Sequence, residues 1–145
     1  MAVYVLTSAH TQSSLMSILQ YLQENDDSTL SRVLDIIKHV HDTGWAPKPP
    51  FAKPLRWNHD WLCEIRAQYD RDTLLRIYYF VHRDASGYRL ILLNCITKPD
   101  WEEFPAYYEG AKWKRLRREI EESIAIASEF KKNYHSQNHH YEPLF

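Results

Sequence analysis

Three cations on strand-like segments are the residues of this chain best suited to handle an anion: Arg66 in WLCEIRAQ, Arg76 in LLRIYYFVH, and Lys98 just past YRLILLNCIT. Successive side chains of a strand point to opposite faces, so residues two apart share one. In the first segment Glu64, Arg66 and Gln68 oppose Trp61, Cys63, Ile65 and Ala67. In the second, Arg76, Tyr78, Phe80 and His82 oppose Leu75, Ile77, Tyr79 and Val81. In the third, Asn94 and Lys98 share parity with Leu90, Leu92 and Ile96. If the segments pair in register, one face is apolar and the other gathers Glu64, Arg66, Arg76, Tyr78, Asn94 and Lys98; a bulge would move some of these across. Guanidinium groups present a fork matched to phosphate oxygens, and their charge favours the extra negative charge of a phosphodiester transition state. Lys98, Tyr78 and His82 are of a type that can move protons. A structural reading stands beside this one, in which Glu64 and Arg66 pair across strands for about a few tenths of a kcal/mol.

Metal chemistry finds less support. Cys63 and Cys95 lie inside strand-like segments rather than in C-x-x-C spacing and read as small buried hydrophobes. The eight histidines include no H-E-x-x-H pattern, and His39 and His41, two apart on a helix, diverge. No metal and no cofactor is expected.

The elements that must position these residues follow from periodicity. AVYVLT alternates as a short strand. Leu15, Ile18, Leu19 and Leu22, then Leu30, Val33, Leu34, Ile37 and Val40, form two helical stripes separated by Asp26-Asp27-Ser28, with Ser28 as the expected N-cap and Gly44 as the stop. So short a link predicts a helical hairpin. WAPKPPFAKPLRW, with prolines at 47, 49, 50 and 54, reads as an extended connection. The three strand-like segments, joined by YDRDT and RDASG, predict an antiparallel meander. AKWKRLRREIEESIAIASEFKK closes the pattern with a helix whose stripe is Trp113, Leu116, Ile120, Ile124 and Ala127. The expectation is one α+β domain over 1–135, a small antiparallel sheet of a short N-terminal strand plus a three-strand meander with a helical hairpin and a C-terminal helix covering one face, and a flexible tail over 136–145.

At 145 residues the chain suits a single core, and no apolar run approaches the ~20 residues that span a bilayer. The N-terminus lacks the pattern of a secretory signal, so an intracellular, cytoplasmic protein is expected. The net charge of -1 excludes a global basic field, but residues 46–100 hold nine Lys and Arg against six Asp and Glu.

The order of these motifs resembles the RelE/ParE superfamily of toxins, in particular its HigB-type, phage-derived branch. A helix ending in Gly leads through a Pro-containing link to a strand of the form L-x-E-[LI]-R, met by Leu62, Glu64, Ile65 and Arg66. A second strand, R-I-x-Y-F, is met by Arg76, Ile77, Tyr79 and Phe80, and a third, L-L-x-x-[FI]-x-K, by Leu92, Leu93, Ile96 and Lys98. The likeness runs over roughly residues 12–133, and departs from the family pattern in the acidic, aromatic stretch Asp100–Trp113.

That resemblance implies the toxin of a type II toxin–antitoxin system: a metal-independent endoribonuclease (mRNA interferase) that cuts messenger RNA on the ribosome and is held in check by a helix-turn-helix antitoxin. Its catalytic residues would be Arg66, Arg76, Lys98 and Tyr79, with Tyr78, His82, Asn94, Lys53 and Arg56 binding RNA. Glu64 would be a structural partner of a nearby arginine. Two other readings share the fold: a non-catalytic protein-interaction module using Asp100–Trp113, and a ParE-like inhibitor of DNA gyrase.

Overall fold

The computed structural model describes residues 3–9, 11–43, 50–55, 61–70, 72–85, 87–99, 106 and 109–145. The chain runs β1 (Val3–Ala9), β2 (Thr11–Gln12), α1 (Ser14–Asn25), α2 (Asp27–Asp42), β3 (Ala52–Pro54), β4 (Cys63–Gln68), β5 (Thr73–Asp84), β6 (Gly87–Pro99), α3 (Gly110–Lys132) and β7 (His139–Pro143). The expected α+β fold with a helical hairpin, a β4-β5-β6 meander and a C-terminal helix is present.

Local chemistry explains the hairpin. Ser13 caps α1, its hydroxyl accepting from the Met16 N–H at 3.1 Å, and Leu15, Leu19 and Leu22 put one buried stripe on the sheet. One residue, Asp26, serves both helix ends. Its N–H donates to the Leu22 carbonyl at 2.7 Å, and its carboxylate accepts from Thr29 N at 3.1 Å and Thr29 Oγ1 at 2.7 Å. These hydrogen bonds hold its carboxyl below the usual carboxylate range. Ser28, the expected cap, instead donates to Asp26 Oδ1. The ionised side chain two positions earlier is the better acceptor for the free N–H groups of the first turn. Helix α2 ends at Asp42 with Thr43 as C-cap, and Gly44, expected to stop it, lies outside the described residues.

The sheet order is β2-β1-β6-β5-β4-β3, with β7 also paired to β1. Three features differ from the sequence expectation. First, the sheet is mixed, because β1 lies beside β6 in parallel, Val3 opposite Leu90 and Val5 opposite Leu92. Second, part of the Pro-rich connection is strand β3, an edge strand where Pro54 can be tolerated. Third, the C-terminal residues expected to fray form β7, antiparallel to β1, with Leu6 opposite Tyr141 and Leu144 N–H donating to Val3 O at 2.8 Å. Their aromatic content explains the docking: Tyr141 meets Tyr134 edge-on at 5.1 Å and Leu144 packs on the hairpin core.

Helices cover both faces of the sheet rather than one. Under α1 and α2 lie Val5, Ile65, Leu75, Ile77, Tyr79, Leu90 and Leu92 among others. Under α3, which contributes Ala127, lie Leu62, Tyr78, Phe80, Ile91 and Leu93. A bulge in β6 makes this partition possible. Ile77 pairs with Cys95 but Tyr79 with Leu92, so Leu93 and Asn94 together oppose Tyr78. Leu90 and Leu92 therefore turn to the hairpin face while Asn94, Ile96 and Lys98 stay on the α3 side, correcting the shared parity that strict alternation assigns them. The Cys95 N–H, just past the bulge, is taken by Ser14 Oγ at 3.2 Å. Trp61, expected among the apolar face of β4, stands in a turn at positive φ and is 78% exposed.

Helix α3 is fixed to the sheet by a buried polar joint. Ser123 Oγ donates to the Ile120 carbonyl at 2.7 Å. Its single proton thus spent, it accepts from the Tyr78 hydroxyl at 2.8 Å. Asn94 Nδ2 donates to the Ser123 carbonyl at 3.0 Å. Tyr78→Phe removes one net hydrogen bond and leaves Ser123 satisfied by Ile120, so it should lower stability by about 1 kcal/mol. A lower urea midpoint at unchanged m-value would show this.

Candidate anion-binding site

On the α3 side of the sheet, the end of the meander beyond Tyr78 carries charge instead of apolar residues. Register sets the arrangement: Lys53 of β3 is opposite Glu64 of β4, and Arg66 of β4 is opposite Arg76 of β5. Lys98 of β6 is opposite Leu74, one alternation beyond Arg76. Four neighbouring strands each supply a cation. Like charges directly opposite on a sheet repel, and Glu64 is what relieves the repulsion.

The Glu64 side chain is fully buried. Its Oε1 lies 3.3 Å from Lys53 Nζ and 3.4 Å from Arg66 Nε, and its Oε2 lies 3.2 Å from Arg76 Nη1. All three distances exceed the roughly 2.7–2.9 Å of a tight charge-assisted hydrogen bond. One carboxylate shared among three cations cannot saturate any of them. Both Glu64 oxygens, Arg66 Nε and Arg76 Nε are buried without a hydrogen-bond partner of good geometry. Three cations against one carboxylate leave a net charge of +2 before Lys98 is counted.

Lys98 is only 6% exposed. Burial, followed by repulsion from Arg76, brings its ammonium down to a pKa of about 7, with Glu64 opposing the fall. Burial likewise lowers Lys53, with Glu64 again opposing. A lysine poised near neutrality beside two fixed guanidinium groups has the chemistry to exchange a proton next to a bound anion. An arriving anion would favour the charged form and draw a proton onto Lys98.

The other residues singled out from the sequence distribute differently. Lys53 joins the cluster. Tyr78 is fully buried and Asn94 is 3% exposed, and both direct their polar atoms to α3. Tyr79 is on the opposite face, buried in the hairpin core, where burial and the neighbouring Cys63 raise its phenol pKa. His82 shares the face of Arg76 but is six residues further along β5, about 20 Å away. There its ring meets Tyr134 at 5.0 Å and His135 at 6.0 Å. Arg56 and most of Asp100–Trp113 lie outside the described residues. Ser123, which secures both Tyr78 and Asn94, was not among the expected site residues. Its only sequence signal is a hydroxyl within the apolar stripe Ile120, Ile124, Ala127.

Among the described residues no three His, Cys, Asp or Glu side chains are grouped to hold a metal ion. Cys63 and Cys95 are buried free thiols. Among the described residues no helix is long and apolar enough to cross a membrane.

No protein-family model matches the sequence, and no curated protein does. Among solved structures, the chain is similar to a YoeB/ParE toxin from Agrobacterium tumefaciens, at 18% identity and a TM-score of 0.48 over 68% of this chain and 99% of the other.

The electrostatics of the site predict a pH signature. The Lys98 pKa in the fold is below its unfolded value, so between pH 7 and 10.5 the unfolded chain binds more protons and stability rises with pH. Lys98→Met should remove this rise and be the more stable form at pH 7, the two proteins converging towards pH 10.5. Urea unfolding of both across that range checks the sign.

Proposed function

We propose that the protein is the toxin of a type II toxin–antitoxin pair and acts as a metal-independent endoribonuclease on ribosome-bound mRNA. The observation that carries this reading is the meeting of Lys53, Arg66 and Arg76 around one buried carboxylate, with Lys98 on the next strand within their field, a net positive charge and buried guanidinium N–H groups lacking good partners. The sequence motifs of the second and third strands, R-I-x-Y-F and L-L-x-x-[FI]-x-K, support it because they contribute Arg76 and Lys98.

In this mechanism the scissile phosphate docks on Arg66 and Arg76. Neutral Lys98 takes the proton of the 2′-hydroxyl as its oxygen attacks the adjacent phosphorus. The O2′–P bond forms and the P–O5′ bond breaks, leaving a 2′,3′-cyclic phosphate. The departing 5′-oxygen takes a proton from water or from the now charged Lys98. The two guanidinium groups stabilise the additional negative charge of the pentacoordinate transition state. Glu64 keeps the cations converged and takes no proton. Tyr79, across the sheet in the hairpin core, has no part in this scheme. An antitoxin partner and a cytoplasmic setting belong to the same reading.

Induced expression in a bacterial host should arrest growth and cut mRNA only when ribosomes are present. Arg76→Ala should slow cleavage by about 100-fold or more, the scale of losing one transition-state donor, and Lys98→Ala should relieve the arrest. Soluble, folded wild-type protein that leaves growth and mRNA intact would defeat the proposal. Inhibited supercoiling with intact translation would point to gyrase instead.

At limiting protein concentration, where the rate reports the free protein, cleavage should rise with pH through a midpoint of about 7 as Lys98 loses its proton. At saturation the midpoint should move up, because the bound phosphate favours charged Lys98. Lys98→Arg, which stays charged, should be slow and flat across that range.

A further inference from the structure

Helix α3 carries a charge pattern that the fold does not need. Residues 112–118, KWKRLRR, hold five cations in seven positions, and residues 119–122, EIEE, follow with three carboxylates. This order runs against helix electrostatics. The N-terminal end of a helix favours anions and disfavours cations, yet the first turn of α3 has no acidic residue and its N-cap, Glu109, makes no side-chain capping bond. Lys114 and Arg118 stand at i and i+4, a repulsive pair, and Arg117 precedes its ion-pair partner Glu121, the less favourable orientation. Lys112, Lys114, Arg115, Arg117 and Arg118 are all exposed. Such an arrangement becomes favourable when an external polyanion lies along it.

The fold directs this basic half towards the cation cluster. Ser123 sits over Tyr78, and further along α3 Lys131 lies 5.5 Å over the ring of Phe80. The helix therefore runs in the same sense as β5, and the residues before Ser123 extend towards the end of the sheet where Arg76, Arg66 and Lys98 stand.

We infer that the N-terminal half of α3 and the sheet cluster form one continuous track for single-stranded RNA: the cluster takes one phosphate, and Lys114, Arg115 and Arg118 take flanking phosphates of the same strand. Phosphate contacts position a strand without reading its bases, so the track would set where the chain is held rather than which sequence is cut. This inference rests on reading the cluster as a phosphate site. It explains how a chain with net charge -1 holds a polyanion: these cations are gathered towards one end of the fold.

The test uses the full chain with fluorescent 2′-O-methyl RNA, which resists cleavage, in lengths of four and twelve nucleotides. The 12-mer should bind more tightly and with a steeper dependence on salt. Lys114→Gln, Arg115→Gln and Arg118→Gln together should flatten the slope of log K against log salt by about 2 for the 12-mer, at about 0.7 per phosphate contact. The 4-mer should be unaffected. Unfolding curves of the triple variant establish that it folds. A 12-mer whose affinity and slope are unchanged in that variant would overturn the track. So would an equal loss for both lengths, or a polyglutamate peptide that competes through the same three residues as tightly as RNA, which would make the occupant an acidic protein segment. Arg76→Ala separates this inference from the reading beneath it. Weakened 4-mer binding upholds the cluster as the anchoring phosphate site. An unaffected 4-mer overturns the continuous track and the cluster reading together, whatever the triple variant does to the 12-mer.

Discussion

The burial of a single carboxylate, Glu64, organises the charged end of this molecule. A fully desolvated carboxylate is costly unless cations and hydrogen bonds compensate it. Here compensation comes from three strands at once, through Lys53, Arg66 and Arg76 at 3.2–3.4 Å. The dependence is mutual. Without Glu64, Arg66 and Arg76 would face each other across β4 and β5 as unrelieved like charges. With it they converge, but one carboxylate has too few lone pairs to satisfy every donor turned towards it. The cluster is held together and left electrostatically incomplete, the condition in which an anion from outside gains most.

Incomplete charge is useful only if the surrounding structure keeps its place, and two features provide that. The bulge in β6 aligns Asn94, Ile96 and Lys98 with the α3 side while sending Leu90 and Leu92 into the hairpin core. The Tyr78–Ser123–Asn94 joint then clamps α3 over the middle of the sheet. Beyond this joint, towards Phe80, α3 covers an apolar surface with Ala127 and Phe130. In the other direction its sequence turns basic. One helix thus serves as a lid over the core at its C-terminal half and as a charged flank of the cluster at its N-terminal half.

The burial of Lys98 gives this end of the sheet its sensitivity to protons. Its ammonium loses hydration and faces Arg76, and only part of that cost is returned by Glu64. A surface lysine would stay charged at any physiological pH. The same side chain buried on β6 beside the guanidinium groups of β5 and β4 changes charge near neutrality. The proton chemistry of the site therefore belongs to the environment and not to the residue type.

Much of this was legible in the chain itself. Period-two alternation assigned Glu64, Arg66 and Arg76 to one face, helical spacing gave both stripes of the hairpin, and the long apolar stripe of α3 was plain, because each depends on neighbours within a few residues. What the sequence could not state were the features that depend on distant segments. The parallel pairing of β1 with β6 and the docking of β7 on β1 join residues more than eighty positions apart. A bulge carries no marker in LILLNCITK, yet it determines which leucines share a face with Lys98. The fate of Tyr79, buried opposite the cations, followed from alternation, whereas the motif resemblance put it in the site. Local patterning fixes which residues can face together, since it is set by backbone period. Which of them become buried, shared or shifted in pKa is decided only when strands from across the chain bring their charges within a few ångströms, because desolvation and Coulomb energy depend on distances in space.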